Sequence, residues 1–191
     1  IVRRVHDFVR KREPRFAAID LVAVIADLAT FVAPEARKAG VEIELDLPET
    51  PAIVTADRVL LEQVLFNLIR NGMEAMAAVP TRTRRLQITA RRRRRPADAG
   101  DTAEEIVVEV ADRGAGIPPE VVEKLFSPFF STKQEGMGMG LNICRSIVEL
   151  HLGRLEFSPR PGGGTIFTLA LPTVEAAPAS PPSTPAVKDP A

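Results

Sequence analysis

Gln63, Asn67 and Asn71 fall four residues apart in "ADRVLLEQVLFNLIRNGMEAM", so on a helix they line up as one polar stripe. The other positions, Val59, Leu60, Leu61, Val64, Leu65, Leu68, Ile69, Met73 and Met76, are apolar nearly all round and predict a buried element. A buried amide without a partner costs on the order of 1 to 3 kcal/mol, so something polar must meet the stripe. Neighbouring backbone or ordered water would do so. A hydrated magnesium ion carried by phosphates would do so equally, because an asparagine carbonyl is a hard oxygen donor that adds no charge. The stripe alone leaves both readings open.

Two glycine clusters raise a related question. In "VEVADRGAGIP" an apolar strand ends in Asp112, followed by Gly114 and Gly116. A carboxylate there can accept from an amino group while the glycines let backbone approach a flat ring, and a plain turn explains the same residues. In "KLFSPFFSTKQEGMGMGL", Phe126, Phe129 and Phe130 beside Pro128 suggest core packing. Lys133, Gly136, Gly138 and Gly140 then lead into a helix whose free amides and dipole favour an anion. The run is neither a Walker loop, since no GK[ST] closes it, nor a GxGxxG fingerprint. By spacing alone, a phosphate and a mere turn are both admissible.

These residues need elements to hold them. Residues 1 to 12 have the period of an amphipathic helix, stopped by Pro14. Asp20 can cap a helix running from Leu21 to about Ala39, which Gly40 closes. "VEIELDL" alternates as a half-buried strand, and the asparagine helix spans about Asp57 to Ala77. "RLQITARR" and "EEIVVEVAD" predict two strands joined by an exposed hairpin loop, "RRRRPADAGDTA". "PPEVVEKLF" predicts a short helix with proline in its first turn, and "GLNICRSIVELHLG" a longer one stopped by Gly153. "GRLEFSP" and "GGGTIFTLALP" are the closing strands. Three main helices and about five strands, mostly antiparallel by connection length, give an α/β two-layer sandwich with the helices on one face of a mixed sheet.

Composition bounds the function. The chain has 191 residues, 45% of them hydrophobic, which suits one domain with appended segments. Lys plus Arg and Asp plus Glu both total 25, so overall charge selects no nucleic acid partner. The lone Cys144 excludes an internal disulfide and sits in an apolar helical pattern, as a small core residue does. "LVAVIADLATFVA" is shorter than the roughly 20 residues that cross a bilayer. The chain opens in mid-helix pattern without a signal-like start, so a fragment of something longer is expected. The expected division is a helix remnant over 1–13, one domain over 14–172, and a disordered Ala/Pro/Ser-rich tail over 173–191.

Taken together and in order, the motifs resemble the catalytic and ATP-binding domain of sensor histidine kinases, part of the ATP-binding group shared with gyrase, MutL and Hsp90. "NLIRNGMEAM" resembles the N box and "DRGAGIP" the first glycine box. "FSPFFSTK" resembles the F box, "GMGMGLNICRSIVELHLGRL" the second glycine box, and "GGGTIFTLALP" the closing glycines and strand. The resemblance runs from about Ile19 to Pro172, and its short lid is similar to that of oxygen-sensing and nitrogen-regulatory kinases. It implies ATP and Mg as ligands, with Asn71 holding the metal and Asn67 beside the phosphates. Asp112 would receive the adenine amino group, with Gly114, Gly116 and Thr165 around the same base. Gly136, Gly138, Gly140 and Leu141 would be the lid end whose amides meet the phosphates, with Lys133 a further candidate. The partners implied are a dimerisation and phosphoacceptor domain, a second copy in a homodimer, and a response-regulator receiver domain. The setting implied is cytoplasmic, compatible with a membrane-anchored parent.

Two departures stand out: Gly72 follows Asn71 where alanine is usual, and His151-Leu152-Gly153 replaces the usual histidine, glycine, glycine. Neither is expected to abolish nucleotide binding, whereas Glu74 stands where some subgroups place a lysine, so that phosphate contact is not expected. ATP-hydrolysing relatives carry a glutamate at the position of Asn67, and an amide cannot serve as general base, so slow hydrolysis and transfer to a histidine fit better. Neither His6 nor His151 resembles the family's acceptor box, so the acceptor is expected outside this chain. A degenerate binding module without turnover is the alternative. The eight arginines from Arg82 to Arg95 lack interleaved aromatics and suggest a solvated loop near Asp98, Asp101, Glu104 and Glu105 rather than a nucleic-acid patch.

Overall fold

The structure is a computed structural model and describes residues 13–95, 104–128, 130 and 140–173. The first long helix, α1 (Leu21–Ala39), begins where the Asp20 carboxylate accepts from the amide of Val22 and ends at Gly40, whose φ of 65° suits glycine. Strands β2 (Glu42–Asp46), β4 (Arg85–Arg94), β5 (Glu104–Ala111), β7 (Thr165–Pro172) and β6 (Arg154–Pro159) form one sheet in the order β2-β4-β5-β7-β6. Only β2 and β4 run parallel; the other neighbours are antiparallel.

One face of the sheet, with Leu86, Ile88 and Ala90 on β4, Ile106, Val108 and Val110 on β5, and Phe167, Leu169 and Leu171 on β7, packs under the helices. Helix α2 (Arg58–Ala75), capped by the Asp57 carboxylate, packs against both α1 and the helix α4 (Gly140–Leu150). A short helix α3 (Pro119–Val122), with proline at its start, precedes the second glycine cluster. This is the expected two-layer sandwich.

Several expectations need correction. A two-stranded ribbon of β1 (Ala17–Asp20) with β3 (Ile53–Ala56) lies outside the main sheet and was not foreseen. Strands of four residues carry too little alternation to be recognised. Helix α2 is not buried all round: Val59 is 49% exposed, and Gln63 is exposed too. It lies in an outer layer, with helices at its flanks and the sheet beneath, so its remaining face meets solvent.

The strand expected over "RLQITARR" runs two residues further, to Arg94, paired from Arg91 opposite Val107 to Arg94 opposite Glu104. Cross-strand ion pairs join Arg92 to Glu104 at 3.0 Å and Arg93 to the buried Glu105 at 2.9 Å, with Arg154 reaching Glu105 at 3.1 Å. Arg91 pairs with Asp46. Asp98 and Asp101 lie outside the described residues, as do the helix of residues 1–12 with His6, and Phe129. Phe126 does pack against the core, with the Phe157 ring 6.2 Å away and the Arg145 guanidinium 5.2 Å over its own ring. Thr173 donates from its amide to the Glu104 carbonyl; residues 174–191 lie outside the described residues.

Candidate functional site

Asp112 follows the last residue of β5 and is 2% exposed. Its Oδ1 accepts from the amides of Gly114 at 2.7 Å and Thr165 at 3.3 Å. Its own amide donates to the Thr165 carbonyl at 2.9 Å, so β7 and the turn after β5 interlock through this one residue. Burial raises the Asp112 pKa above the usual 3.8, opposed by the two amides and by the charge of Arg160. Oδ2 makes no hydrogen bond to another described residue. A carboxylate with one oxygen saturated and the other open can receive an amino group from a ligand.

Glycines frame this carboxylate. A Cβ on Gly114 would lie 2.6 Å from the Ala75 carbonyl oxygen, so the turn abuts the end of α2. A Cβ on Gly72 would lie 3.4 Å from the Asp112 Cβ and 2.5 Å from a Leu86 methyl, which shows what fills the space where alanine was the expected residue. Gly116 has φ of 78° and faces the Gly164 carbonyl. Gly164, which the sequence reading did not single out, has φ of 102°, and any Cβ there would collide with the Asp112 carbonyl. Its signal was present as the third glycine of "GGG" before a strand.

The other end of the site lies on the same helix. Asn67 and Asn71 are half-buried, one turn apart, and Asn67 precedes Gly72 by five residues, about 7.5 Å of helix rise. Gly140, the first residue of α4, sits against Asn67: a Cβ there would be 2.7 Å from the Asn67 Oδ1. The Asn67 Nδ2 donates to the Cys144 sulfur at 3.2 Å. Leu141 is half-buried against the core, and Asn142 donates to the Phe126 carbonyl at 3.0 Å, tying α4 to the segment before the second glycine cluster. Lys133, Gly136 and Gly138 lie outside the described residues. The structure thus brings Asp112, Gly114, Gly116 and Thr165 together at the C-terminal end of α2 and Gly140 against Asn67 at mid-helix, with Asn71 between.

No described buried side-chain nitrogen or oxygen lacks a hydrogen-bond partner. Gln63 meets solvent and Asn67 meets Cys144. The described residues hold no cluster of three or more His, Cys, Asp or Glu able to bind a metal. What α2 offers a cation is amide oxygen, which fits magnesium that arrives with phosphates and keeps much of its water. Two cavities of the described surface lie elsewhere. One of about 290 Å³ is lined by residues including Glu35, Arg70 and Arg84, and one of about 580 Å³ by residues including Phe31, Val59 and Phe66. The chemistry of Asp112 and the asparagines, not cavity volume, marks the candidate site.

His151 is buried and committed. Its Nε2 accepts from the Asp57 amide at 3.0 Å, which leaves Nδ1 to donate to the Ile147 carbonyl at 2.7 Å. No sequence signal linked it to Asp57, 94 residues away. Cys144 was legible in principle, since it lies four residues after Gly140 and so shares its helix face. No described helix is long and apolar enough to cross a membrane.

Fold and site together define a two-layer domain in which one helix carries the polar groups, a glycine-bordered turn closes on its C-terminal end, and a glycine-led helix packs against its middle. A family described as histidine kinase-, DNA gyrase B- and HSP90-like ATPase matches residues 56–175, and the chain belongs to that family. The C4-dicarboxylate transport sensor protein DctS of Rhodobacter capsulatus is 51% identical over 94% of this chain and 26% of its own length. The chain therefore spans about a quarter of that relative. The catalytic domain of histidine kinase ThkA superposes with a TM-score of 0.69 at 31% identity, covering 83% of this chain and 96% of that one. The histidine kinase ThkA solved in complex with response regulator protein TrrA gives a TM-score of 0.71 at 28% identity, covering 91% of this chain and 46% of that one.

Proposed function

We propose that this chain is the ATP-binding catalytic domain of a two-component sensor histidine kinase. The observation that carries the reading is Asp112: a buried carboxylate held by the amides of Gly114 and Thr165, with Oδ2 open to an amino group beside a glycine-lined surface. Gly114, Gly116 and Thr165 shape the base end. Asn67, Gly140 and Leu141, with Lys133, Gly136 and Gly138, would serve the phosphates, and Asn71 would hold Mg. The metal would neutralise charge on the phosphates.

The residues of the chain position and do not hydrolyse. Asn67 touches Cys144 and Gly140, and its amide cannot take a proton from water. The reaction supported is attack by an imidazole nitrogen on the γ-phosphorus, with cleavage of its bond to the bridging oxygen and departure of ADP. That imidazole is not His151, whose two nitrogens are engaged within the core. The acceptor belongs to a dimerisation domain, of which residues 1–13 are a remnant; 14–172 form the catalytic domain and 173–191 a tail. The parent acts as a homodimer facing the cytoplasm and passes the phosphoryl group to a receiver domain, a reading supported by the complex of ThkA with TrrA.

Calorimetry tests it. The chain is expected to bind ATP with magnesium and to phosphorylate only a supplied acceptor domain. A folded chain that shows no heat of binding with magnesium and ATP sinks the proposal.

A further inference from the structure

We infer that Cys144 is a positioning residue that turns Asn67 so that its carbonyl oxygen, rather than its amino group, faces the phosphate end of the site toward a hydrated divalent cation. An asparagine side chain can present either end, and only its partners decide which. The Cys144 sulfur lies 3.9 Å from the Val64 carbonyl oxygen, and a thiol has one proton to give. With that proton directed at Val64, the sulfur can only accept, and the group facing it must be the Asn67 Nδ2, 3.2 Å away.

Oδ1 then turns toward Gly140 and accepts no hydrogen bond from another described residue. Gly140 is part of the same device, because a Cβ there would crowd both Oδ1, at 2.7 Å, and Nδ2, at 3.0 Å. Cys144 is 1% exposed, so its sulfur has no water to bond in place of Val64 and Asn67. An amide oxygen is a ligand or acceptor for magnesium and its water, whereas an amide NH₂ would bind a phosphate oxygen directly.

The inference rests on the nucleotide reading above and predicts a loss specific to the cation. Cys144→Ala should weaken binding of magnesium–ATP about three- to ten-fold, the scale of one hydrogen bond, and leave binding of metal-free ATP unchanged. Cys144→Ser, whose hydroxyl can still donate to Val64 and accept from Asn67, should restore the wild-type ratio. The second readout needs no nucleotide: the Asn67 side-chain amide resonances, assigned by their loss in Asn67→Ser, should shift in Cys144→Ala and return toward wild type in Cys144→Ser. Equal weakening with and without magnesium, or an Asn67 amide unmoved in Cys144→Ala, overturns the inference. A wild-type chain that binds no ATP overturns the nucleotide reading and the cation role with it, while the amide resonances still decide whether the thiol orients Asn67.

Discussion

At the Asp112 end of the site the walls are backbone, and at the Asn67 end they are side chains. Asp112 exchanges hydrogen bonds with Thr165 in both directions, takes the Gly114 amide, and is pressed by Gly164. Asn67 is held by one contact to a sulfur and by the missing side chain of Gly140. The first end is anchored in two neighbouring strands of the sheet, β5 and β7; the second joins two helices, α2 and α4. A flat ring is recognised by shape, which needs walls that cannot move. Phosphates and a cation are recognised by charge and coordination, which tolerate adjustable side chains.

The strongest way to break that contrast is Gly164→Ala. An alanine at φ of 102° is strained and must displace the Asp112 carbonyl, so a loss of about 2 to 5 kcal/mol of stability in urea unfolding is expected, together with loss of ATP binding. A folded variant of wild-type affinity would show the base end to be as adjustable as the other.

Asp112→Asn should separate recognition from folding. Its Oδ1 can still take the Gly114 and Thr165 amides, but its NH₂ cannot receive an amino group, so ATP affinity should fall about 10- to 100-fold with the fold retained. The raised pKa of Asp112 adds a pH signature. A carboxyl whose folded pKa is raised holds its proton more tightly when folded, so its contribution to stability is full below about 3.8 and is lost as pH rises through the folded value. Asp112→Asn should flatten that fall in a series of unfolding curves above pH 4, and an unchanged slope would remove Asp112 as its source.

Gly140→Ala sharpens the other side. Asn67 must swing aside, so magnesium–ATP affinity should drop about three- to ten-fold while stability changes by less than about 1 kcal/mol. A loss of stability as large as that of Gly164→Ala would mean that both ends are equally rigid. The smallest effect is expected at neither end. Leu152 is 79% exposed with φ of 58°, in the left-handed region, so Leu152→Gly should raise stability by about 1 kcal/mol without altering nucleotide affinity.

Most of the fold was legible because its long elements carry strong periods. Helix α1 has the bounds its caps predict, Asp20 and Gly40, and α2 differs by a residue or two at each end. The ribbon of β1 with β3 was not legible, because four-residue strands have hardly any period to detect. The end of the arginine run, Arg93 and Arg94, was misread as loop because charge masks strand propensity. What makes it strand is the row of acids and apolar residues opposite, Glu104 to Val107, which only pairing brings there.

The sequence by itself determined the residue types of the candidate site and their order, since an asparagine stripe, an aspartate before glycines and a glycine-led helix are local patterns. It also set the layer architecture, through the alternation of helical and strand periods. Tertiary structure alone decided the partners: the Asp112 carboxylate with an amide 53 residues on, the Asn67 amide with a sulfur 77 residues on, and His151 with the cap of α2. The physical reason is range. Period, capping and turn chemistry act over a few residues, whereas the direction in which a half-buried amide or carboxylate points is set by whatever donor or acceptor packing places against it.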